Sequence, residues 1–199
     1  MKIGIIGSGG IGQAVAHQLT RAGYQVTLSN SRGPESLAGV VKELGARATA
    51  GTREDAAQAD VVVLAVPWQQ VRAALSGLPP WNGRILIDAT NPVVQPGFRL
   101  ADLDGSTSSE IVATLSPGAR VVKAANTLPV AVLSADPEQA GGRRVLFLSG
   151  NDAPAKAEVS AIFERVGFAT IDLGALATGG RLQQFPGGVL PTLNLIKLG

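Results

Sequence analysis

A glycine-rich turn near the start of the chain constrains the fold more than any other stretch. Residues 2–6 form a short, β-branched, apolar run, which is typical of a buried strand. A helical apolar pattern begins after the turn and stops at Gly23. The turn between strand and helix consists of Gly7, Ser8, Gly9, Gly10, Ile11 and Gly12.

This strand, Gly-x-Gly-x-x-Gly turn and helix predict a dinucleotide-binding site. Gly7 makes the tight turn, Gly9 lets the backbone approach a pyrophosphate, and Gly12 lets the helix pack close to the strand. The N-terminus of the helix then offers free N–H groups and the positive end of its dipole to the phosphates. The alternative is a glycine-rich turn that binds no ligand.

The loop after the second predicted strand, residues 25–29, indicates which dinucleotide binds. A site that prefers NAD usually has Asp or Glu here, which bonds the ribose 2′-hydroxyl. This chain instead has Asn30, Ser31 and Arg32, which suit a 2′-phosphate through charge-assisted hydrogen bonds. We therefore expect NADP(H). An ordinary polar loop before a helix is the alternative.

Apolar runs and helical patterns alternate along the chain, which predicts the α/β class. We expect a Rossmann-type doubly wound, mainly parallel sheet with an elaborated C-terminal half. One NADP-binding domain would span residues 1–199, with residues 124–199 as the acceptor-site and dimerisation part. Strands are predicted at residues 2–6, 25–29, 46–49, 61–65, 84–88, 120–123, 144–149 and, last, 168–173. Helices are predicted at residues 34–44, 52–59, 69–75, 108–115, 130–133 and 152–166, beside a loop at 93–106 and a mixed segment at 174–199.

Composition excludes several classes of function. The chain has 17 basic and 15 acidic residues and no basic stripe, so nucleic acid is not an expected partner. It has no cysteine and one histidine, His17, so disulfides, thiolate catalysis and a multi-histidine metal site are excluded. We expect His17 on a helix surface. Since no signal peptide precedes the first strand and the longest apolar run is short, we expect no membrane segment and a cytoplasmic location.

Four residues beyond two further strands are candidates for the nicotinamide side of the site. In open α/β sheets, ligands lie beyond the carboxyl ends of the strands. Two of the candidate positions also have a purely structural alternative. Trp68 could pack on the sheet as a helix-start residue, and Asn91 with Pro92 could form an ordinary turn. The candidates are Val66, Pro67, Trp68 and Asn91, the last of which would bond ribose or carboxamide.

With these residues placed, the chain resembles the NADPH-dependent coenzyme F420 reductases over nearly its whole length. The glycine turn is generic, whereas the Ser-Arg pair and the Val-Pro-Trp run are more specific. The membrane-bound ferric reductases of the STEAP type share a similar cytosolic domain. The resemblance is carried by residues 3–12, 30–32, 63–68, 122–129 and 174–182.

The resemblance implies roles for these positions. The glycine turn would hold the pyrophosphate, Ser31 and Arg32 the 2′-phosphate, and the four edge residues the nicotinamide half. Residues 126–129 would border the place where the acceptor ring lies over the nicotinamide. The chain departs from the family at Asn126, where some members carry histidine, and in a shorter C-terminal tail. These departures bear on F420 rather than on NADPH.

Hydride transfer between nicotinamide and a deazaflavin or flavin needs no side-chain nucleophile, which suits a chain without an acid–base pair. Asn126 and Thr127 would polarise the acceptor ring and are the predicted catalytic residues. Lys123 is expected to be a strand-end lysine that reaches solvent. Two other functions stay open: a reductase of another small substrate and a non-catalytic NADP(H) sensor.

The end of the chain predicts a homodimer. The segment 189–198 is more apolar than a free terminus requires, and such a surface is usually covered. A second copy related by two-fold symmetry is one solution. An intramolecular cap is the other.

Overall fold

The computed structural model describes residues 1–199 and begins with the predicted βαβ unit. Strand β1 (Lys2–Ile6), helix α1 (Gly10–Arg21) and strand β2 (Gln25–Ser29) follow one another with short connections. The two strands are parallel neighbours, with Ile3 opposite Val26. This right-handed unit carries the glycine turn at the carboxyl end of its first strand.

The remaining predicted strands and helices are present to within a few residues, and the structure adds several short elements that were not predicted. The later strands are β3 (Ala48–Ala50), β4 (Val61–Leu64), β5 (Ile85–Asp88), β6 (Val93–Val94), β7 (Arg99–Leu100), β8 (Arg120–Ala124), β9 (Glu138–Gln139), β10 (Gly142–Gly150), β11 (Ala169–Asp172) and β12 (Ile196–Leu198). The later helices are α2 (Ala38–Leu44), α3 (Arg53–Ala57), α4 (Val71–Leu75), α5 (Ser108–Leu115), α6 (Val130–Ser134), α7 (Ala153–Val166) and α8 (Gly179–Gln183). Single 3₁₀ turns at Pro34–Leu37 and Trp68–Gln70 precede α2 and α4.

The sheet confirms the Rossmann-type prediction. Its strand order is β11-β10-β8-β5-β4-β1-β2-β3. Six neighbouring strands of this sheet are all parallel: β8, β5, β4, β1, β2 and β3. Their order is the one expected of a dinucleotide-binding fold. Their carboxyl ends therefore meet along one edge of the sheet.

The C-terminal part continues this sheet in a different sense. Strand β10 runs antiparallel to β8, and β11 runs parallel to β10. Strands β9 and β12 also pair with β10 in antiparallel fashion. The prediction that residues 168–173 form the last strand is wrong, because β12 follows. The predicted loop at 93–106 likewise contains a small hairpin of β6 and β7.

Helices cover both faces of the sheet, which explains the fully apolar central strands. Helices α1, α6 and α7 pack on one face through residues such as Leu19, Leu133 and Phe163. Helices α3, α4 and α5 pack on the other, where Val71 and Val112 are buried. Among the helices, none has the length and apolar character needed to span a bilayer.

Candidate functional site

The glycine turn has the geometry that a phosphate cradle requires. A Cβ atom on Gly7 would lie 2.2 Å from the Ala65 carbonyl oxygen, and one on Gly12 would lie 2.0 Å from the Gly7 carbonyl oxygen. Gly7 also has a φ of +114°. At Gly9 the situation is reversed, because a Cβ there would meet nothing within 4 Å. Gly7 and Gly12 thus serve the packing of strand and helix, whereas the space before Gly9 is open.

The same open space lies at the start of α1. Gly9 is the N-cap residue and no side chain caps the helix. The first N–H groups of an α-helix have no intrahelical acceptor, and here no side chain replaces one. The turn is stabilised by Gln13 on α1, whose side-chain amide donates to the Ser8 carbonyl oxygen over 2.7 Å. This arrangement fits an anionic pyrophosphate.

Asn30 organises the loop after β2. Its side-chain oxygen accepts a hydrogen bond from the Arg32 backbone N–H over 2.8 Å. Its side-chain nitrogen donates to Ser8 over 3.2 Å and to Ser36 over 2.9 Å. Asn30 therefore connects the glycine turn to the loop. Sequence reasoning missed Ser36, whose only signal was a small polar residue in the turn after Pro34.

Ser31 and Arg32 are exposed at the tip of this loop. The Arg32 guanidinium takes part in none of the five salt bridges of the structure. Its charge is available to a ligand, and it lies at the carboxyl end of β2, next to the glycine turn at the end of β1. The structure thus brings together the residues predicted to hold pyrophosphate and 2′-phosphate.

Val66, Pro67 and Trp68 follow β4 at the same edge of the sheet. Pro67 is exposed, whereas Val66 and Trp68 are half-buried. Trp68 opens a 3₁₀ turn and also packs against the buried cluster beneath α4. The two interpretations of Trp68, a helix-start residue and a ligand neighbour, are therefore compatible.

Asn91 and Asn126 form a reciprocal amide pair across the ends of β5 and β8. The Asn91 nitrogen donates to the Asn126 carbonyl oxygen, and the Asn126 nitrogen donates to the Asn91 side-chain oxygen, each over 2.8 Å. The Asn126 nitrogen also donates to the Gln183 carbonyl oxygen over 2.7 Å. Both amide hydrogens of Asn126 are thus used inside the protein, and the residue is only 5% exposed.

Gln183 on α8 closes this amide network. Its side-chain nitrogen lies 3.1 Å from the Phe147 carbonyl oxygen and 3.3 Å from Asn126 Oδ1, and its oxygen accepts from the Ser149 hydroxyl over 2.7 Å. Sequence reasoning did not single out Gln183. A buried glutamine on a five-residue helix has no local signal, because its partners lie on β8 and β10.

Thr127 is 4% exposed, and it differs from Asn126 in the hydrogen bonding of its side chain. Its carbonyl oxygen accepts a hydrogen bond from the Thr192 N–H over 2.7 Å, so the C-terminal segment lies against it. None of the side-chain hydrogen bonds of the structure uses its hydroxyl. Of the two predicted catalytic residues, Thr127 has a polar group without a protein partner, whereas the Asn126 amide is committed.

The prediction that Lys123 reaches solvent is wrong. Lys123 and Asp88 are both fully buried, with Lys123 Nζ 3.3 Å from Asp88 Oδ2. The ammonium also donates to the Thr90 carbonyl oxygen over 3.1 Å and to the Ser108 hydroxyl over 3.3 Å. Burial of this charge is tolerated because a carboxylate and two further oxygens surround it. His17, in contrast, is exposed on α1 as expected.

Comparison with known proteins identifies the family. Residues 2–92 match the model of the family described as NADP oxidoreductase coenzyme F420-dependent. A candidate F420-dependent NADP reductase from Arthrobacter sp. FB24 is 31% identical, with a TM-score of 0.78 over 88% of this chain and 86% of that one. The chain belongs to this family. A hypothetical protein of Sinorhizobium meliloti, SMa0349, is 48% identical, with a TM-score of 0.94 over 99% of this chain and 96% of that one.

Membership of the F420-dependent NADP oxidoreductase family confirms two predictions from the sequence: the family resemblance and the NADP-dependent oxidoreductase class. The rat metalloreductase STEAP3 is 29% identical over 96% of this chain. This chain spans only 37% of that protein. STEAP3 is similar over nearly the whole length of this chain, which agrees with the expected likeness to the STEAP-type reductases.

Proposed function

We propose that this chain binds NADP(H) along the carboxyl edge of its sheet and transfers hydride between NADP(H) and a deazaflavin or flavin. The observation that carries the proposal is the open, uncapped N-terminus of α1 beside the unpaired guanidinium of Arg32. An anion with two separate phosphate groups suits this pair of features. The F420-dependent relatives support the choice of acceptor.

The residues of this chain would divide the cofactor between them. Residues 7–12 would hold the pyrophosphate, and Asn30, Ser31 and Arg32 would hold the 2′-phosphate. Val66, Pro67, Trp68 and Asn91 would flank the nicotinamide half, because they follow β4, which lies beside β1, and β5, which lies beside β4. When bound, the dihydronicotinamide supplies a hydride, and the protein contributes orientation and exclusion of water.

Residues 126–129 would border the acceptor. Thr127 is the residue of this segment whose hydroxyl has no partner in the protein, so we propose that it donates to a polar atom of the acceptor ring. Asn126 would act through the backbone it holds, because its amide hydrogens bond Asn91 and Gln183. That Asn126 polarises the acceptor ring stays a prediction.

Anaerobic mixing tests the proposal. Protein and NADPH are combined with coenzyme F420, FMN, FAD or a ferric chelate, and NADPH absorbance is followed. We expect NADPH to be consumed with F420 or a flavin, and Thr127→Val to lower turnover more than NADPH affinity. If NADPH were consumed only with the ferric chelate, the acceptor would be ferric iron and not a deazaflavin or flavin. If Thr127→Val lowered NADPH affinity as much as turnover, Thr127 would not lie on the acceptor side.

A non-catalytic NADP(H) sensor is the second candidate, and one observation favours it. Residues of the segment 185–198 lie on the acceptor side: Phe185 N–H donates to Asn91 Oδ1 over 3.1 Å, and Thr192 N–H donates to the Thr127 carbonyl oxygen. A segment that fills this side would leave no room for an acceptor ring. NADPH binding without turnover of any acceptor would favour the sensor.

We also propose that the chain forms a homodimer through the segment 189–198. Strand β12 is paired within the chain, which accounts for its backbone but not for its side chains. Val189 and Leu198 are 71% and 67% exposed, and Leu193 and Leu195 are 40% and 42% exposed. A second copy that covers this apolar surface would remove it from water.

A further inference from the structure

Two layers of polar residues are stacked where β5 and β8 end. We define the charged layer as Asp88, Thr90, Ser108, Ser109 and Lys123. We define the amide layer as Asn91, Asn126, Ser149 and Gln183.

The charged layer is buried, and the ammonium and both carboxylate oxygens in it have hydrogen-bond partners. The three protons of the Lys123 ammonium match three partners: Asp88, Thr90 and Ser108. Asp88 Oδ1 accepts from the Thr90 N–H over 2.9 Å and from its hydroxyl over 2.6 Å, and Oδ2 accepts from Ser109 over 2.5 Å. All five residues are at most 2% exposed. Since no group of this layer is accessible to a ligand, its role cannot be contact with one.

Covalent and hydrogen-bonded links join the charged layer to the amide layer. Thr90, held by Asp88 and Lys123, directly precedes Asn91. Lys123 lies three residues before Asn126, and its carbonyl oxygen accepts from Gln183 Nε2 over 3.4 Å. Asp88 and Lys123 are opposite one another in the β5–β8 pairing. The ion pair therefore links the ends of the two backbones that carry Asn91 and Asn126.

We propose that Lys123 and Asp88 are positioning residues for the nicotinamide end of NADP(H). They act through Thr90 on Asn91 and through the end of β8 on Asn126, without touching the cofactor. The phosphate end, held by the glycine turn and Arg32, does not depend on them. This inference rests on the proposed function, because it assumes NADP(H) at the carboxyl edge. Hydride transfer requires close and aligned reactants, so a small displacement at this edge would slow it.

The charge-neutral double variant Asp88→Asn with Lys123→Met separates positioning from folding, because it leaves no buried charge unpaired. The matched control is Asp172→Asn with Lys156→Met, which removes a surface ion pair of 2.8 Å. Three quantities are measured: affinity for 2′,5′-ADP, which lacks nicotinamide; fluorescence anisotropy of bound NADPH, which reports the nicotinamide end; and single-turnover rate with the acceptor that the wild type uses.

We expect the double variant to bind 2′,5′-ADP as the wild type does, to lower the anisotropy of bound NADPH, and to slow hydride transfer by about tenfold or more. The surface control should change none of the three. A folded double variant with unchanged anisotropy would overturn the inference. If the double variant does not fold, Ser109→Ala replaces it: this removes one bond to Asp88, and a lower anisotropy supports the inference whereas an unchanged one overturns it.

The two proposals can fail separately. Wild-type protein that binds NADPH but reduces no acceptor would contradict hydride transfer, and the anisotropy of the variants would still decide the positioning role. Wild-type protein that binds neither 2′,5′-ADP nor NADPH would overturn both.

Discussion

The side-chain amide of Asn30 donates to the Ser8 hydroxyl over 3.2 Å, which joins the two loops that we propose to hold the phosphates. The oxygen of the same amide accepts from the Arg32 N–H. Asn30 therefore couples the position of the arginine to that of the glycine turn. Its nitrogen donates and its oxygen accepts. An isosteric substitution can therefore remove the donor and keep the acceptor.

Asn30→Asp tests this coupling with an isosteric change. The new carboxylate still accepts from Arg32 N–H, but it no longer donates to Ser8 and it adds negative charge beside the proposed 2′-phosphate. We expect NADPH affinity to fall by about tenfold or more, while NADH affinity is kept or improved through the ribose 2′-hydroxyl. Titration with both cofactors measures this. Asn82→Asp, in an exposed loop before β5, is the control, and a fall for NADH as large as for NADPH would contradict the expectation.

Arg32→Ala removes the charge itself. A hydrogen bond between charged groups contributes about 1.5–3 kcal/mol, which corresponds to roughly 10–150-fold in affinity. We expect that loss for NADPH and almost none for NADH, by calorimetry at fixed ionic strength. Arg47→Ala is a matched control, because Arg47 is exposed just before β3 at the opposite edge of the sheet. Equal losses for the two cofactors would remove Arg32 from the 2′-phosphate site.

Gly9→Val should abolish dinucleotide binding without unfolding the protein. A Cβ at this position meets no atom within 4 Å, and φ is −72°, so the protein alone tolerates the side chain. The side chain would occupy the space that the pyrophosphate needs. Gly39→Val, at another open position on α2, should leave NADPH binding intact. Circular dichroism checks folding, and unchanged NADPH affinity in Gly9→Val would mean that the phosphate site lies elsewhere.

Lys123→Met alone should destabilise the protein strongly, because it leaves the Asp88 carboxylate buried without its counter-charge. Breaking a buried ion pair typically costs about 3–5 kcal/mol of unfolding free energy. Lys156→Met breaks a pair whose Asp172 side chain is 50% exposed, and we expect less than about 1 kcal/mol. Chemical denaturation compares the two. Similar costs for both variants would show that Asp88 finds other compensation.

Light scattering at micromolar concentration tests the homodimer. We expect twice the chain mass for the wild type and a shift toward monomer for Leu193→Ser combined with Leu195→Ser. Both side chains are exposed, so the substitutions should not disturb the fold of the single chain. Truncation is a poorer test, since it would also remove β12 from the sheet. A monomeric wild type would leave the apolar segment as an intramolecular cap.

The first half of the fold could be predicted because its signals are local. Each signal lies in or next to the element that it predicts. This holds for the turn glycines, for Gly23 at the end of α1 and for the apolar run before Val66. The capping residue Thr107 and its partner Glu110 are three positions apart and place the start of α5 at the predicted residue. Each of these signals needs only neighbours in sequence.

What could not be predicted depends on partners far along the chain. Lys123 looks like a solvent-facing strand end until Asp88, 35 residues earlier, is placed opposite it. Gln183 is likewise defined by Ser149 and Asn126. Strands of two or three residues, such as β9 and β12, have no periodicity of their own and exist because β10 offers unpaired backbone.

The buried ion pair has a consequence for folding. Asp88 and Lys123 face each other across β5 and β8, and a slip by one residue moves a side chain to the opposite face of the sheet. A misaligned β8 would then place the ammonium and the carboxylate on different sides, each dehydrated and without a counter-ion. Such an arrangement is far higher in energy than an apolar mismatch. The ion pair thus favours the native register of β5 and β8 over a register shifted by one residue, because only the native register pairs the two buried charges.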